Sequence, residues 1–323
     1  MSTKLKFSSA DELKQAIKNV NYHPNKLRRF LRKVYWALFI YYLKPNHIVS
    51  VLTRTGLLNY ESKDRVVGRI LEVQRHFDFS QIQSTEKLLK KIGVLEKTPE
   101  GTVVDVGGFL GMSSISFMHE NVFSKAIAFE PNPTSYNLLK ENVSNNFLED
   151  RISHYNIALS DTNSTLDFEL SATNYGDHRI HNPEGDLGAF GEANRKIISV
   201  SATKFDDFIS KEKDIDTQGI KLIWMDTQGH EGQFLIGAKQ FLLSHPHVPT
   251  ITEFWPYAIL RSGISKSDFV EAVQSVYTHI YRETDNGFIE YNMSDLDSIF
   301  EENIDPKKWW TILLINKTES VNI

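Results

Sequence analysis

Three groups of residues in this chain have the types and spacing that site chemistry needs. The first is the run DVGGFLG at 105–111, which closes an apolar, β-rich stretch. Gly107 permits a tight turn and close approach of a ligand to the backbone, and Gly108 keeps that stretch bare. Gly111 stands where a helix would begin, and the free N–H groups of a helix start can receive a carboxylate. The second is Glu130, the last residue of the strand-like run KAIAFE. An acidic side chain roughly 20 residues after a glycine turn can accept both hydroxyls of a ribose. Together they predict a nucleoside-bearing ligand; a plain tight turn with an unrelated surface Glu is the alternative. The spacing is D-x-G-x-x-x-G and not G-x-G-x-x-G, so no loop is shaped for a pyrophosphate. S-adenosylmethionine offers a ribose, a carboxylate, an ammonium and a sulfonium instead, and Asp105 is then expected near the ammonium. The polar turn Ser160-Asp161 either borders the adenine or simply ends a strand.

The third group is spread over the second half of the chain. Methyl transfer from a sulfonium is an in-line displacement that needs alignment and removal of a hydroxyl proton. Asp226 closes the run KLIWMD and is the leading base, with a strand-end cap as its plainer role. Glu231 falls in the first turn of the next helix, where the dipole favours a carboxylate whether or not it reacts. Glu253, in ITEFWP, is expected to face the same cleft, and Trp255 and Tyr257 could form a wall for a sugar ring or merely pack. His178, within Asp177-His178-Arg179 and near His181, is a second candidate base, because a histidine titrates near neutrality; a solvated loop with incidental histidines is the alternative. His230-Glu231 starts like H-E-x-x-H, but Phe234 occupies the second His position, and no metal set is expected. There is no P-loop.

These residues need a scaffold that gathers strand ends. From Thr102 onward, strand-like and helix-like runs alternate: TVVDVGG, GMSSISFMHE, KAIAFE, NPTSYNLLKENVSNN, RISHYNIALS. Asn132 is a plausible N-cap, with Pro133 at the first helical position. Such alternation implies parallel βαβ units in a doubly wound α/β sheet. Between TLDFEL and KIISVS lies a long polar stretch that reads as a functional loop or a disordered one. Then come KLIWMD, a helix over EGQFLIGAKQFLL, PTITEFW and a helix over 266–276. Two late strands, THIYRE and WTILLIN, are expected to form an antiparallel edge. Residues 1–95 read as a mostly helical segment, with a helix at 86–95, ahead of a catalytic domain at 96–323.

At this point the chain resembles the FkbM-type methyltransferases over roughly residues 100–285. The matching pieces are VVDVGGFLG, AFEPNP, NIALSD, KLIWMDTQGHEGQFLIGA and ITEFWP. The family's fourth-strand pattern, K-x-D-x-E-G-x-E followed by Gly-Ala, is met by Asp226, Gly229, Glu231, Gly237 and Ala238. Gln228 replaces the usual acidic residue. The resemblance implies a class I S-adenosylmethionine-dependent fold and methylation of a hydroxyl, often on a sugar or glycan-like acceptor.

The bulk properties narrow the partners. The chain has 323 residues, a net charge of −5 and no cysteine. An acidic balance argues against nucleic acid as the main partner. Without cysteine there is no disulfide, thiolate nucleophile or cysteine zinc site, which fits a reducing, cytoplasmic setting. The first residues lack an apolar core, so no signal peptide is expected. The most apolar run, residues 34–43, is half the roughly 20 residues that a spanning helix needs. Across residues 26–43, Leu27, Phe30, Leu31, Val34, Leu38 and Tyr41 fall at helical spacing opposite Lys26, Arg28, Arg29, Arg32 and Lys33. That helix either packs on its own domain or docks on a membrane or a biosynthetic partner. The latter leaves a second functional reading, a catalytically idle Rossmann-like module acting through the basic helix.

Overall fold

The computed structural model describes residues 5–42, 46–183, 189–284 and 287–316. Two short helices come first. In α1 (Ala10–Lys18) the Ser9 side chain accepts from the Glu12 N–H, and in α2 (Lys26–Tyr35) the Asn25 side chain caps likewise. A π-helical turn, Trp36–Tyr42, continues α2. Next is an antiparallel hairpin of β1 (Ile48–Thr53) and β2 (Gly56–Glu61). It adds two strands to a stretch read as mostly helical: IVSVLT buries every second residue, the period of a strand. Then come α3 (Val67–Gln74) and α4 (Phe79–Lys91), the latter containing most of the helix expected at 86–95.

The alternating part then begins: β3 (Thr102–Val106), α5 (Met112–His119), β4 (Lys125–Phe129), α6 (Pro133–Asn145) and β5 (Ile152–Tyr155). Asn132 caps α6 as expected, accepting from the Thr134 N–H at 3.1 Å, with Pro133 first in the helix. The run RISHYNIALS is not one strand. It divides into β5 and β6 (Ala158–Leu159), which belong to different sheets. With β7 (Ser164–Leu170), β8 (Arg179–Ile180) and β9 (Lys196–Thr203), β6 builds a small sheet in the order β6-β9-β7-β8. The long polar stretch lies between β7 and β9, and its residues 184–188 are outside the described residues.

The chain returns to the large sheet through α7 (Phe205–Lys211), β10 (Ile220–Met225), α8 (Glu231–Gly237), α9 (Lys239–Ser244) and β11 (Thr250–Phe254). The helix expected over EGQFLIGAKQFLL is thus two helices meeting at Gly237-Ala238. Gly237 lies against the turn after β6; a Cβ there would stand 1.9 Å from the Ser160 carbonyl oxygen. Last are α10 (Pro256–Arg261), α11 (Lys266–Gln274), β12 (His279–Thr284), β13 (Gly287–Tyr291), α12 (Leu296–Glu302) and β14 (Trp310–Ile315).

The large sheet has the order β13-β12-β14-β11-β10-β3-β4-β5. From β5 to β11 it is parallel, and β14 inserts antiparallel between β11 and β12. This is the expected doubly wound sheet with a late antiparallel strand, although the edge is formed by β13. The alternation of strand side chains divides the interior in two. Val103, Ala126, Ala128, Leu222 and Trp224 face one core, which they share with residues of α3–α6 and the hairpin. Val104, Ile127, Phe129, Ile223 and Met225 face the other, under α7–α12.

The segment at 26–42 departs from simple packing. Of the six apolar residues at helical spacing, Tyr41 alone is buried; Val34 is half-buried and the other four are exposed. Leu43 is outside the described residues. No helix among the described residues is long and apolar enough to cross a membrane.

Candidate active site

The path of the chain reverses direction across β3 and β10, and open α/β sheets bind ligands beyond the carboxyl ends of their strands at that switch. A cleft of about 490 Å³ lies there. Gly107, Gly108, Phe109 and Glu130 line one half of it; Asp226, Gln228, Glu253 and Trp255 line the other.

The donor half is held mainly by backbone. Gly107 sits at φ +88°, and a Cβ on it would stand 1.9 Å from the Asp226 carbonyl oxygen, so the turn has room for glycine alone. Phe109 is also left-handed, at φ +46°, a conformation costly for a large side chain. Its N–H donates to Glu130 Oε2 at 2.9 Å, while Glu130 Oε1 accepts from the Asn132 N–H at 2.7 Å. The Glu130 carboxylate thus ties the glycine turn to the start of α6. Burial pushes its carboxyl up to about 7, against the pull of these two N–H groups.

Five predicted positions lie off the cleft wall. Asp105 was expected beside a ligand ammonium. It is buried under α5 instead, where Oδ2 accepts the Ser114 N–H at 3.2 Å and the Ser114 hydroxyl at 2.5 Å. Burial raises its carboxyl to about 6. Gly111 caps α5 at φ +77°, behind the turn. Ser160 and Asp161 end β6 away from the cleft, and the residues just before them, Ile157, Ala158 and Leu159, form wall instead. The Ser160 hydroxyl donates to Asp161 Oδ1 at 3.0 Å and faces His230 Nε2 at 2.9 Å. Glu231 also turns inward. Its Oε1 accepts from the Thr227 N–H, the Thr227 hydroxyl and the Gly229 N–H, at 3.1, 2.9 and 3.3 Å, which shapes the turn after β10.

The acceptor half is made of side chains. Gln228, left-handed at φ +56°, donates through Nε2 to Asp226 Oδ1 at 2.7 Å and to Glu253 Oε2 at 3.1 Å. The residue that departs from the family pattern therefore joins the two carboxylates at the ends of β10 and β11. Asp226 is open to the cleft, yet the protein around it raises its carboxyl, as does Asp177; the Gln228 bond pulls the other way. Glu253 is raised further, first by burial and then by Asp226, Glu231 and Asp177. Trp255 stands beside Trp309, with ring centres 6.0 Å apart, and beside Phe190 at 5.5 Å.

His178 lines the cleft. The Ser171 N–H donates to its Nδ1 at 2.9 Å, so the neutral ring carries its proton on Nε2. Burial, then Arg195, pushes its pKa down to about 4. In that state His178 offers a donor rather than a base. Asp177 is fixed by ion pairs to Arg179 and Arg195, and His181 Nδ1 meets Glu169 Oε2 at 3.0 Å. Glu169 also accepts from Arg261 of α10 at 2.6 Å, a buried pair that bolts the small sheet to α10. Arg179 lies 5.2 Å from the centre of the Trp255 ring. Buried pairs of this kind contribute geometry more surely than net stability.

Several wall residues had no sequence signal. Val66, Val67, Ile70, Phe77 and Asp78 come from the segment ahead of residue 95. Asp78, at φ +47°, opens into the cleft, and its carboxyl is pushed up to about 7, first by burial and then by Asp226 and Glu283. The doublet Trp309-Trp310, in a polar stretch, is the one hint that a composition scan could have used.

The donor half fits the methyl donor that the spacing suggested: a turn closed to any Cβ, a carboxylate on the wall, and apolar wall at 157–159. The model of the Methyltransferase FkbM domain matches residues 105–299. The chain is 28% identical over 167 residues to the 2-O-methyltransferase NoeI of Sinorhizobium fredii (strain NBRC 101917 / NGR234), covering 49% of this chain and 66%, just under two thirds, of that relative. Among solved structures, methyltransferase FkbM from Methylobacillus flagellatus KT aligns with a TM-score of 0.40 at 16% identity, over 69% of this chain and 45% of that one. A geranyl diphosphate methyltransferase in complex with SAM aligns at 0.38 and 10% identity, over 76% and 88%. The chain belongs to the FkbM methyltransferase family, and its methyl donor is S-adenosylmethionine.

Proposed function

We propose that this methyltransferase methylates a hydroxyl group of a saccharide or a related polyhydroxylated acceptor. The observation that carries the reading is the Asp226 carboxylate, open to the cleft at the end of β10 and joined through Gln228 to Glu253. A carboxyl whose pKa is raised toward the working pH is better matched to take a proton from a hydroxyl. Asp226 is the base in this reading, and Glu253 orients it through Gln228. His178 donates a hydrogen bond to an acceptor oxygen. Trp255 and Trp309 offer flat faces to a sugar ring. The relative described as a 2-O-methyltransferase supports transfer to oxygen.

S-adenosylmethionine supplies an activated methyl group when bound. On this side of the cleft, Glu130 would accept the ribose hydroxyls, the Gly107-Gly108 backbone would lie against the amino-acid end, and residues 157–159 would cover the base.

The test is transfer of a labelled methyl group from S-adenosylmethionine to a mixed pool of neutral, uronic-acid-bearing and amino-bearing oligosaccharides. Label expected in the sugar fraction survives mild alkali, as an ether does, and is absent with Asp226→Asn. Alkali-labile label would mark a methyl ester, and label confined to amino groups a methylamine; either result overturns transfer to a hydroxyl.

A further inference from the structure

The helix made by α2 and its π-helical continuation takes no part in the cleft. Over residues 26–42 it carries five basic side chains, Lys26, Arg28, Arg29, Arg32 and Lys33, and no acidic one, in a chain of net charge −5. No residue of α2 is buried. One side holds it to the body: Trp36, Ile40 and Tyr41 are buried, and Arg32 donates to the carbonyls of Val73 and Asn21, both at 3.0 Å. The opposite side is apolar and faces water. Leu27, Phe30, Leu31, Leu38, Phe39 and Tyr42 are between 48 and 69% exposed. Within α2, at 100° per residue, Arg28 flanks Leu27 and Leu31 on one side of the stripe, and Lys26 and Lys33 flank Phe30 on the other.

A contiguous apolar stripe on a soluble surface marks an interaction site. Its occupant follows from charge. A stripe of leucines and aromatic rings edged by Arg and Lys, with no acid among them, matches the boundary between acyl chains and anionic headgroups. The long basic side chains can reach the headgroups while their stems stay along the apolar face. A second copy docked face to face on this helix would set its own five basic side chains against these, like charge against like.

We propose that α2 and its continuation lie in the interface of a bilayer containing anionic lipid and seat the enzyme on it. The seat is bonded to the cleft wall. Arg65 Nε donates to the Tyr41 hydroxyl at 2.5 Å, its N–H donates to the Thr173 carbonyl at 2.8 Å, and Val66, Val67 and Ile70 next to it line the cleft. This inference stands apart from the identity of the acceptor.

The experiment is sedimentation of the full chain with vesicles, either of phosphatidylcholine alone or with about a third phosphatidylglycerol. The protein is expected in the pellet with anionic vesicles at low salt, in the supernatant with neutral ones, and to be released as salt rises. Replacing Arg28, Arg29 and Lys33 together by Ala should weaken partitioning roughly a hundred-fold. Leu31→Asp should abolish it, and melting curves of both variants should match the parent, since these residues are exposed. No pelleting with anionic vesicles overturns the proposal, as does pelleting that neither variant reduces. So does light scattering that shows a dimer dissociated by Leu31→Asp, which would assign the face to a second copy.

Discussion

At the donor half of the cleft the geometry belongs to the backbone: two left-handed residues, Gly107 and Phe109, and one carboxylate, Glu130, that accepts backbone N–H groups. At the acceptor half it belongs to side chains from distant segments, with Asp78 from the N-terminal part, Asp177 and His178 from the small sheet, and Asp226, Gln228, Glu253 and Trp309 from the far half of the chain. The first is built by residues within a short span and tolerates no extra atoms. The second is built by carboxyls whose neighbours raise one another and by rings set side by side. A donor common to many reactions is held by the backbone half; an acceptor particular to one reaction meets the side-chain half.

The strongest way to break this contrast is Gly107→Val. A side chain at φ +88° against the Asp226 carbonyl should lower stability by about 3 kcal/mol and remove donor binding. A thermal melt and calorimetry with S-adenosylmethionine measure both, and a variant that binds normally would show that the turn is not built by exclusion.

Asp226→Asn should leave donor affinity in place and lower kcat by about 10² to 10⁴. Single-turnover kinetics would separate the two. A loss of donor binding with kcat preserved would move Asp226 from the acceptor half to the donor half.

Glu130→Gln should weaken donor binding by about tenfold, the scale of a hydrogen bond to a charged group. It also carries a pH signature. The Glu130 carboxyl stands near 7 in the folded protein against an ordinary 4.5. Between those values the native state holds a proton that the unfolded chain has released, so this contribution to stability is present below 4.5 and lost as pH rises through 7. The melting temperature of Glu130→Gln relative to the parent should therefore climb from pH 5 to pH 8; a flat difference would mean that the carboxylate is not held in a desolvated place.

The smallest effect is expected from Gln228→Gly. Glycine accepts the left-handed turn, so stability should change by less than about 1 kcal/mol. Losing the donor that lowers Asp226 should shift the acidic limb of the pH–rate profile upward, with a few-fold lower rate near neutrality. An unchanged limb would detach Gln228 from the base.

Much of the donor half was legible beforehand because it is local. A glycine turn, the carboxylate that closes the next strand and the cap at Asn132 are separated by a few tens of residues and joined by backbone geometry. Asp105 and Glu231 were legible as acids but not in their direction. Each satisfies the N–H groups of a neighbouring turn, and which way a carboxylate points depends on packing behind it.

By itself the sequence determined the parallel strands β3, β4, β10 and β11, the place of the glycine turn and the order of parallel units, since these follow from side-chain patterning and from the conformations that glycine permits. The tertiary structure alone decided that α3 and Asp78 wall the cleft, that Gln228 joins Asp226 to Glu253, and that the apolar side of the helix at 26–42 faces outward. Helical spacing says that an apolar face exists. Only the packing of Trp36, Ile40 and Tyr41 against the body says which side of the helix is left for water.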